Sequence, residues 1–456
     1  MKKILLPLLV LIATFTLQAQ DISPERVPPE EDPRLYRIAE APSPGRIEDD
    51  IQQLVSYGTR NTLSDTISDT RGIGAARRWI EAEFRRISEA CNNCLEVSTQ
   101  RQLIRPGVSD RIPDPTVIVN VLAVQRGTTN PDHYVIMSGD IDSRASDVTN
   151  ATIDAPGAND NASGMAGVLE AARVLSKYAF NNSIIYVGLS GEEQGLFGGK
   201  LMAGIAKEKG WNILGVLNND MIGNIEGIDG VIENNTFRVF SEPTPVTSTD
   251  REIRARRYYG GEVDGVSRQL ARYVDRLTTQ YVSNLEAMMI YRLDRFGRGG
   301  HHRPFNDEGF PGVRIMETHE NYTRQHQDIR VENGIKYGDV IEGVNFDYAA
   351  KLTGVNAISL AGLAWAPKPI EKVKIGGAVE PSTRLAWEAV DDANLAGYKI
   401  YWRNTTAPQW QYSRYVGNVT EHTLEGIVID NYLFGVAAVG KDGHESLVVF
   451  PSEVMR

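Results

Sequence analysis

The sequence predicts an α/β protein: a three-layer sandwich around a mixed, centrally parallel sheet, followed by a small all-β sandwich. Three observations predict it. Runs such as "HYVIMSGD", "SIIYVGLSGEE" and "ILGVLNNDMIG" are apolar on both faces, as strands covered by helices on either side must be. They alternate with segments of helical period. After about residue 366 the pattern changes to short, alternating, aromatic-rich runs with turns between them, the spacing of a β-sandwich.

Taken in order, Lys2 and Lys3 precede an apolar run from Ile4 to Phe15, and Ala19 offers a small residue for cleavage. Residues 1–19 therefore read as a signal peptide, and the chain is expected to be exported, periplasmic or secreted. The apolar run is shorter than the ~18–20 residues a bilayer requires, so no membrane span is expected. Residues 20–46, rich in proline and charge, read as an arm lying over the surface. The stretch "SDTRGIGAARRWIEAEFRRISEA" has helical period, with Ala75, Ile80, Phe84 and Ile87 near one face. "TVIVNVLAVQ" and "HYVIMSGD" are β-rich neighbours. "ASGMAGVLEAARVLSKY" is an amphipathic helix with Ser163 placed to cap it and Met165, Val168, Leu169, Ala172 and Leu175 facing a core. "GVSRQLARYVDRLTTQY" and "FDYAAKLTGVNAISLAGLAW" are further helices, with "GVRIMETH" a strand between them. Proline closes the last helix in "LAWAPKPIEKV", and residues 367–456 form the second domain.

Composition narrows the function. The formal charge of −11 becomes −13 once Lys2 and Lys3 are removed, which disfavours nucleic acid or an anionic membrane as partner. The two cysteines, Cys91 and Cys94 in "CNNC", are expected to form a short-loop disulfide in an oxidising compartment. A redox pair or a metal site are the other readings, and no thioredoxin-like strand precedes the motif.

In open, largely parallel sheets chemistry collects at the carboxyl ends of the strands. Asp140 and Asp142 follow one strand, Glu192 and Glu193 the next, and Asp220 a third. With "APGANDNASG" (residues 155–164) and "NYTRQHQD" (321–328) they make a cluster of carboxylates and an imidazole. A cation is the physical remedy for that much negative charge in one cleft. Carboxylate oxygens with one imidazole suit Zn²⁺, Mn²⁺ or a similar divalent ion. One bridging carboxylate can hold two such ions about 3.5–4 Å apart, and a glutamate that is not a ligand can serve as general base.

In order and spacing, "APGANDNASG", "GEEQGLFGG" and "NNDMIG" resemble the co-catalytic zinc aminopeptidase family. Bacterial leucyl aminopeptidases belong to that family, and glutamate carboxypeptidases and glutaminyl cyclases are relatives. The resemblance covers roughly residues 45–365, so residues 47–366 would be a metallopeptidase domain of zinc-exopeptidase fold. It implies that Asp160 bridges two metals and precedes a cis peptide to Asn161, that Glu192 is the general base, and that Glu193 and His326 bind one ion and Asp220 the other. Tyr322, in "ENYTRQHQD", would lie near the substrate. The C-terminal runs "LAWEAV", "AGYKIYWR" and "YLFGVAAVGKDGHES" resemble a fibronectin type III domain, an immunoglobulin-like sandwich that implies a surface, glycan or protein contact.

The chain departs from the family at the first strand end. Gly-Asp-Ile-Asp-Ser stands where the family has Gly-His-x-Asp-Ser, so Asp140 occupies the position of a ligand histidine and Asp142 keeps the orienting position with no imidazole to orient. In "RGGHHRPF", His301 and His302 stand where relatives often carry Asp-His. A site of Asp140, Asp160 and Asp220 would be all oxygen, weaker for zinc and better suited to Mn²⁺, Mg²⁺ or Ca²⁺. The two changes exchange Asp and His, so His301 could compensate for the missing imidazole.

The leading functional reading is an exported metallo-aminopeptidase acting on peptides through metal-activated water. The alternatives are a catalytically impaired metal-binding or scaffold protein and a glutaminyl cyclase-like acyl transferase. Retention of Glu192, which serves chemistry and not metal binding, favours an enzyme.

Overall fold

The computed structural model describes residues 27–455; the expected signal peptide and the first residues of the expected arm lie outside them. The described chain runs α1 (Pro33–Glu40), α2 (Pro44–Val55), α3 (Gly72–Ala90), β1 (Leu95–Ile104), β2 (Thr116–Gln125), β3 (Asn130–Asp140), α4 (Gly164–Leu175) and β4 (Asn182–Leu189). It continues through α5 (Glu192–Gly195), α6 (Phe197–Glu208), β5 (Asn212–Asn219), β6 (Thr236–Ser241), α7 (Asp250–Tyr259), α8 (Val266–Tyr281), β7 (Glu286–Ile290), α9 (His302–Asp307), β8 (Gly312–Glu317) and α10 (Phe346–Trp365).

These strands form one eight-stranded sheet, ordered β1-β2-β4-β3-β5-β8-β6-β7. Its centre, β4-β3-β5-β8, is parallel and its flanks bring in antiparallel pairs, as the sequence predicted. Alternation along the buried strands explains the layers. Val135, Met137, Ile184 and Tyr186 face a core shared with α3, α4, α8 and α10, whereas Ile136, Ile185 and Val187 face Met202, Ala203 and Phe305 of α6 and α9. Continuous apolar strands between two helical layers are the physical content of the sandwich.

Two local expectations change. Part of the expected surface arm is built into the fold: Asp32 and Ser43 accept the backbone N–H groups of Arg34 and Arg46, proline opens each helix, and Leu35, Ile38 and Ile47 are buried. Ser163 does not cap α4. Its backbone is already helical, and its hydroxyl donates to the Asn159 carbonyl (2.7 Å) while accepting from the Ile222 N–H (3.1 Å).

After α10 come two small sheets with a core of their own around Val373, Leu385, Trp387, Tyr398, Ile400, Phe434 and Val436. Buried ion pairs join this unit to the first. Arg403 and Arg272 both hold Asp264, at 2.8 and 2.7 Å. Cys91 and Cys94 form a disulfide at the end of α3. Among the described residues no helix is long and apolar enough to cross a membrane.

Candidate active site

The acids do gather at the carboxyl ends of the central strands. β3 ends at Asp140, β4 leads into α5 with Glu192 and Glu193, and β5 leads into Asp220. Asp160 comes from the turn before α4, and His326 from the loop after β8. Three of these side chains converge: His326 Nε2 lies 3.0 Å from Asp160 Oδ2 and 3.0 Å from Glu193 Oε1. Burial alone would pull His326 down, yet Glu193 and Asp160 outweigh it and push the imidazole up to about 10. Burial likewise opposes the Asp160 charge, but His326, with Arg295 and Arg314, holds that carboxyl well below the usual range. Two carboxylate oxygens and one imidazole nitrogen facing a single point are a donor set that fits zinc or a similar divalent ion. Among the described residues no other His, Cys, Asp and Glu group converges in this way.

Glu193 and Asp160 are held by residues the motifs did not single out for that role. Asp142 accepts the backbone N–H groups of Gly191 (2.9 Å), Glu192 (3.2 Å) and Glu193 (3.1 Å) and the Thr62 hydroxyl (3.1 Å). Its hydrogen bonds go to these groups and not to an imidazole, and they fix the first turn of α5, which carries both glutamates. Asp339 accepts the N–H groups of Asn159 (2.9 Å) and Asp160 (2.7 Å), and Gln325 donates to Asp160 Oδ2 (3.2 Å). Glu317, at the end of β8, receives the Asn159 amide at 2.9 Å. Arg60 is fully buried and donates to the carbonyls of Ile141, Pro156 and Gly157, clasping the loops that carry Asp142 and Asp160. The peptide bonds Asp160–Asn161 and Asp220–Met221 are both cis, the first as the resemblance implied.

The remaining expected residues fall elsewhere. Asp140 stands outside the triad: its Oδ1 lies 2.5 Å from His301 Nδ1, and its Oδ2 accepts from Asn161 Nδ2 at 2.7 Å. Asp220 faces the fully buried Arg314, with Oδ1 2.9 Å from Nη2. Burial, aided by Asp140 and Asp160 and opposed by Arg314, pushes the Asp220 carboxyl up to about 8. His302 is buried away from the cleft, its Nε2 2.7 Å from the Leu293 carbonyl, so it ties down a loop and touches no substrate space. Tyr322 is exposed on the cleft wall. Glu192 also lines the cleft, and burial together with Glu193, Asp220, Asp140 and Asp160 pushes its carboxyl well up. The cleft encloses about 610 Å³, with an acidic floor and a wall of Arg111, Arg144, Lys200, Arg295, Arg298 and Arg303.

A centrally parallel α/β sandwich with two carboxylates and an imidazole converging at its strand ends is the architecture of a metal-dependent hydrolase. The model of "Peptidase family M28" matches residues 120–333, which hold the whole triad. A "Probable zinc metalloprotease" of Pyrenophora tritici-repentis is 41% identical over 94% of this chain and 89% of its own length. Another, from Leptosphaeria maculans, is 42% identical over 93% and 98%. The chain belongs to peptidase family M28. The crystal structure of the LapA aminopeptidase of Legionella pneumophila shares the fold, with a TM-score of 0.52 and 17% identity over 75% of this chain and 78% of that one.

Proposed function

We propose that this chain is an exported, zinc-dependent aminopeptidase that removes N-terminal residues from peptides. The observation that carries the reading is the placement of Glu192. It lines the same cleft as the donors Asp160, Glu193 and His326, and it is not one of them. A zinc ion held by those three side chains would supply Lewis acidity and acidify a water. The chain's own residues do the rest. Glu192, its ionised form disfavoured by burial and by its acidic neighbours, is a carboxylate with a strong drive to take up a proton. Asp142 keeps it in register with Glu193 by holding their N–H groups. The carboxylates of the floor attract a free α-ammonium group, which supports action at a peptide's amino end. Zinc is the ion named for the 41–42% identical relatives, and the donor set agrees with it.

We read the C-terminal sheets as a fibronectin type III-like module. Their two-sheet arrangement and separate core support this.

A panel of aminoacyl chromogenic substrates tests the reading, run with zinc, with chelator, and on Glu192→Gln. Chelator-sensitive hydrolysis that is lost in Glu192→Gln is the expected result. No hydrolysis with any metal would point to the scaffold alternative, and cyclisation of N-terminal glutamine without hydrolysis to the acyl transferase.

A further inference from the structure

We propose that the site takes a single divalent ion, at Asp160, Glu193 and His326, and that the chain's own cationic and hydrogen-bonding groups occupy the donors a partner ion would need. The inference rests on the metal reading of that triad. It departs from the two-ion arrangement that the family resemblance implies.

A second ion bridged by Asp160 would need donors on its other side, and the chain offers Asp140 and Asp220 there. Asp140 is committed at both oxygens. The Asn161 amide that donates to its Oδ2 also donates to the Asn219 carbonyl at 2.7 Å, while Asn161 Oδ1 accepts the Gly164 N–H at 3.1 Å, so this side chain is fixed at every polar atom. His301 closes the other oxygen at 2.5 Å. His301 is fully buried, and its ring packs against Gly199 of α6, where an added Cβ would lie 2.7 Å from its Cδ2. Its Nδ1 is turned to Asp140, so Nε2, on the far side of the ring, points away from that carboxylate and makes no hydrogen bond. His301 therefore answers the missing imidazole by pairing with Asp140, and it does not replace it as a ligand.

Asp220 is engaged at one oxygen, by an ion pair that lacks hydrogen-bond geometry. Arg314 is fully buried, its Nη1 lies 3.1 Å from Asp294 Oδ2 and 3.0 Å from the Gly299 carbonyl, and its Nη2 lies 2.9 Å from Asp220 Oδ1. A guanidinium cannot shed its charge in a protein. Fixed from behind by Asp294, it is a permanent cation where Asp220 would have to receive a dication. With Asp140 closed and Asp220 paired, Asp160 is left without convergent partners on that side.

Zinc stoichiometry tests the proposal without reference to activity. Chelator-stripped full-length protein is titrated with zinc by calorimetry and then analysed for bound metal after dialysis. One zinc per chain is expected, with no further ion taken up when Mn²⁺ or Ca²⁺ is offered to the zinc-loaded protein; uptake of either would overturn the inference. Two zincs of comparable affinity would overturn the inference while leaving the metal reading intact, and no bound zinc would overturn the metal reading itself. The double variant His301→Ala/Arg314→Met frees Asp140 Oδ1 and Asp220 Oδ1, one oxygen on each side chain, and it is expected to take a second ion. A folded double variant that still takes one would overturn the assignment of those two side chains as the cause. Should that variant fail to fold, the wild-type stoichiometry decides alone.

Discussion

Substituting Asp142 by asparagine separates its structural work from the role expected of an orienting carboxylate. One oxygen serves the Gly191 and Glu192 N–H groups and the other serves Glu193 N–H and the Thr62 hydroxyl. An asparagine retains one acceptor, so its amide oxygen keeps the first pair. Its NH₂ then faces the Glu193 N–H, donor against donor, while the Thr62 hydroxyl can turn to accept. The charge-assisted hydrogen bond from Glu193 N–H is lost and that buried donor is stranded, a single event costing about 1.5–3 kcal/mol. Part of that is relieved by local movement, so a net loss towards the lower end of that range is expected. The movement falls on Glu193, one of the three proposed metal donors. Outer residues that hold a ligand are typically worth about 10–100-fold in metal affinity, and a loss in that range is expected here. Urea denaturation of the metal-free protein reads the stability, and competition with a zinc chelator reads the affinity. If Asp142→Asn matched the wild type in both, the turn of α5 would not depend on this carboxylate.

Four further outcomes follow from the same geometry. Zinc at about 100 times its dissociation constant should stabilise the chain by about 2.7 kcal/mol, read as a rise in melting temperature that chelator reverses; no rise would mean that the triad is not a binding site. Asp339→Asn leaves the Asp160 N–H poorly served and should weaken zinc binding about 10-fold, with Gln325→Ala weaker in effect, both measured by the same competition. Hydrolysis should favour substrates with acidic over basic side chains, because Arg111, Lys200, Arg298 and Arg303 line the cleft; the preference should shrink as salt rises, and equal rates would refute it. Asp264→Asn strands the buried guanidinium groups of Arg272 and Arg403 and should cost about 3–5 kcal/mol in denaturant unfolding.

What could be read from the sequence, and what could not, divides along a physical line. The sheet was legible because β3, β4 and β5 are apolar on both faces, a pattern that only a covered strand produces. Asp140, Glu192, Glu193 and Asp220 were legible because each follows such a strand, whereas Asp160, in the turn before α4, was reached through its motif. The surface arm was misjudged because proline and charge signal a loop and also signal a capped helix start, and only the burial of Leu35 and Ile38 separates the two. Most of the residues that hold the site were not legible: Asp142 stood in a motif position, and His301 was reached only through its Asp/His exchange with position 140. Asp339 lies 179 residues from the Asp160 N–H it receives, Arg60 lies 97 from the Gly157 carbonyl, and His301 lies 161 from Asp140. A local motif cannot encode a partner at that distance, because its side chain is chosen by the pocket it fills in the folded state. Position 140 shows the consequence. Read alone, an aspartate in place of a ligand histidine is either a harder ligand or a lesion. Seen against His301 and Asn161 it is a third thing, a carboxylate whose two oxygens hold two neighbouring loops together. On the one-ion proposal, Asp160, Glu193 and His326 remain as donors, and Asp140 and Asp220 both serve the frame around them.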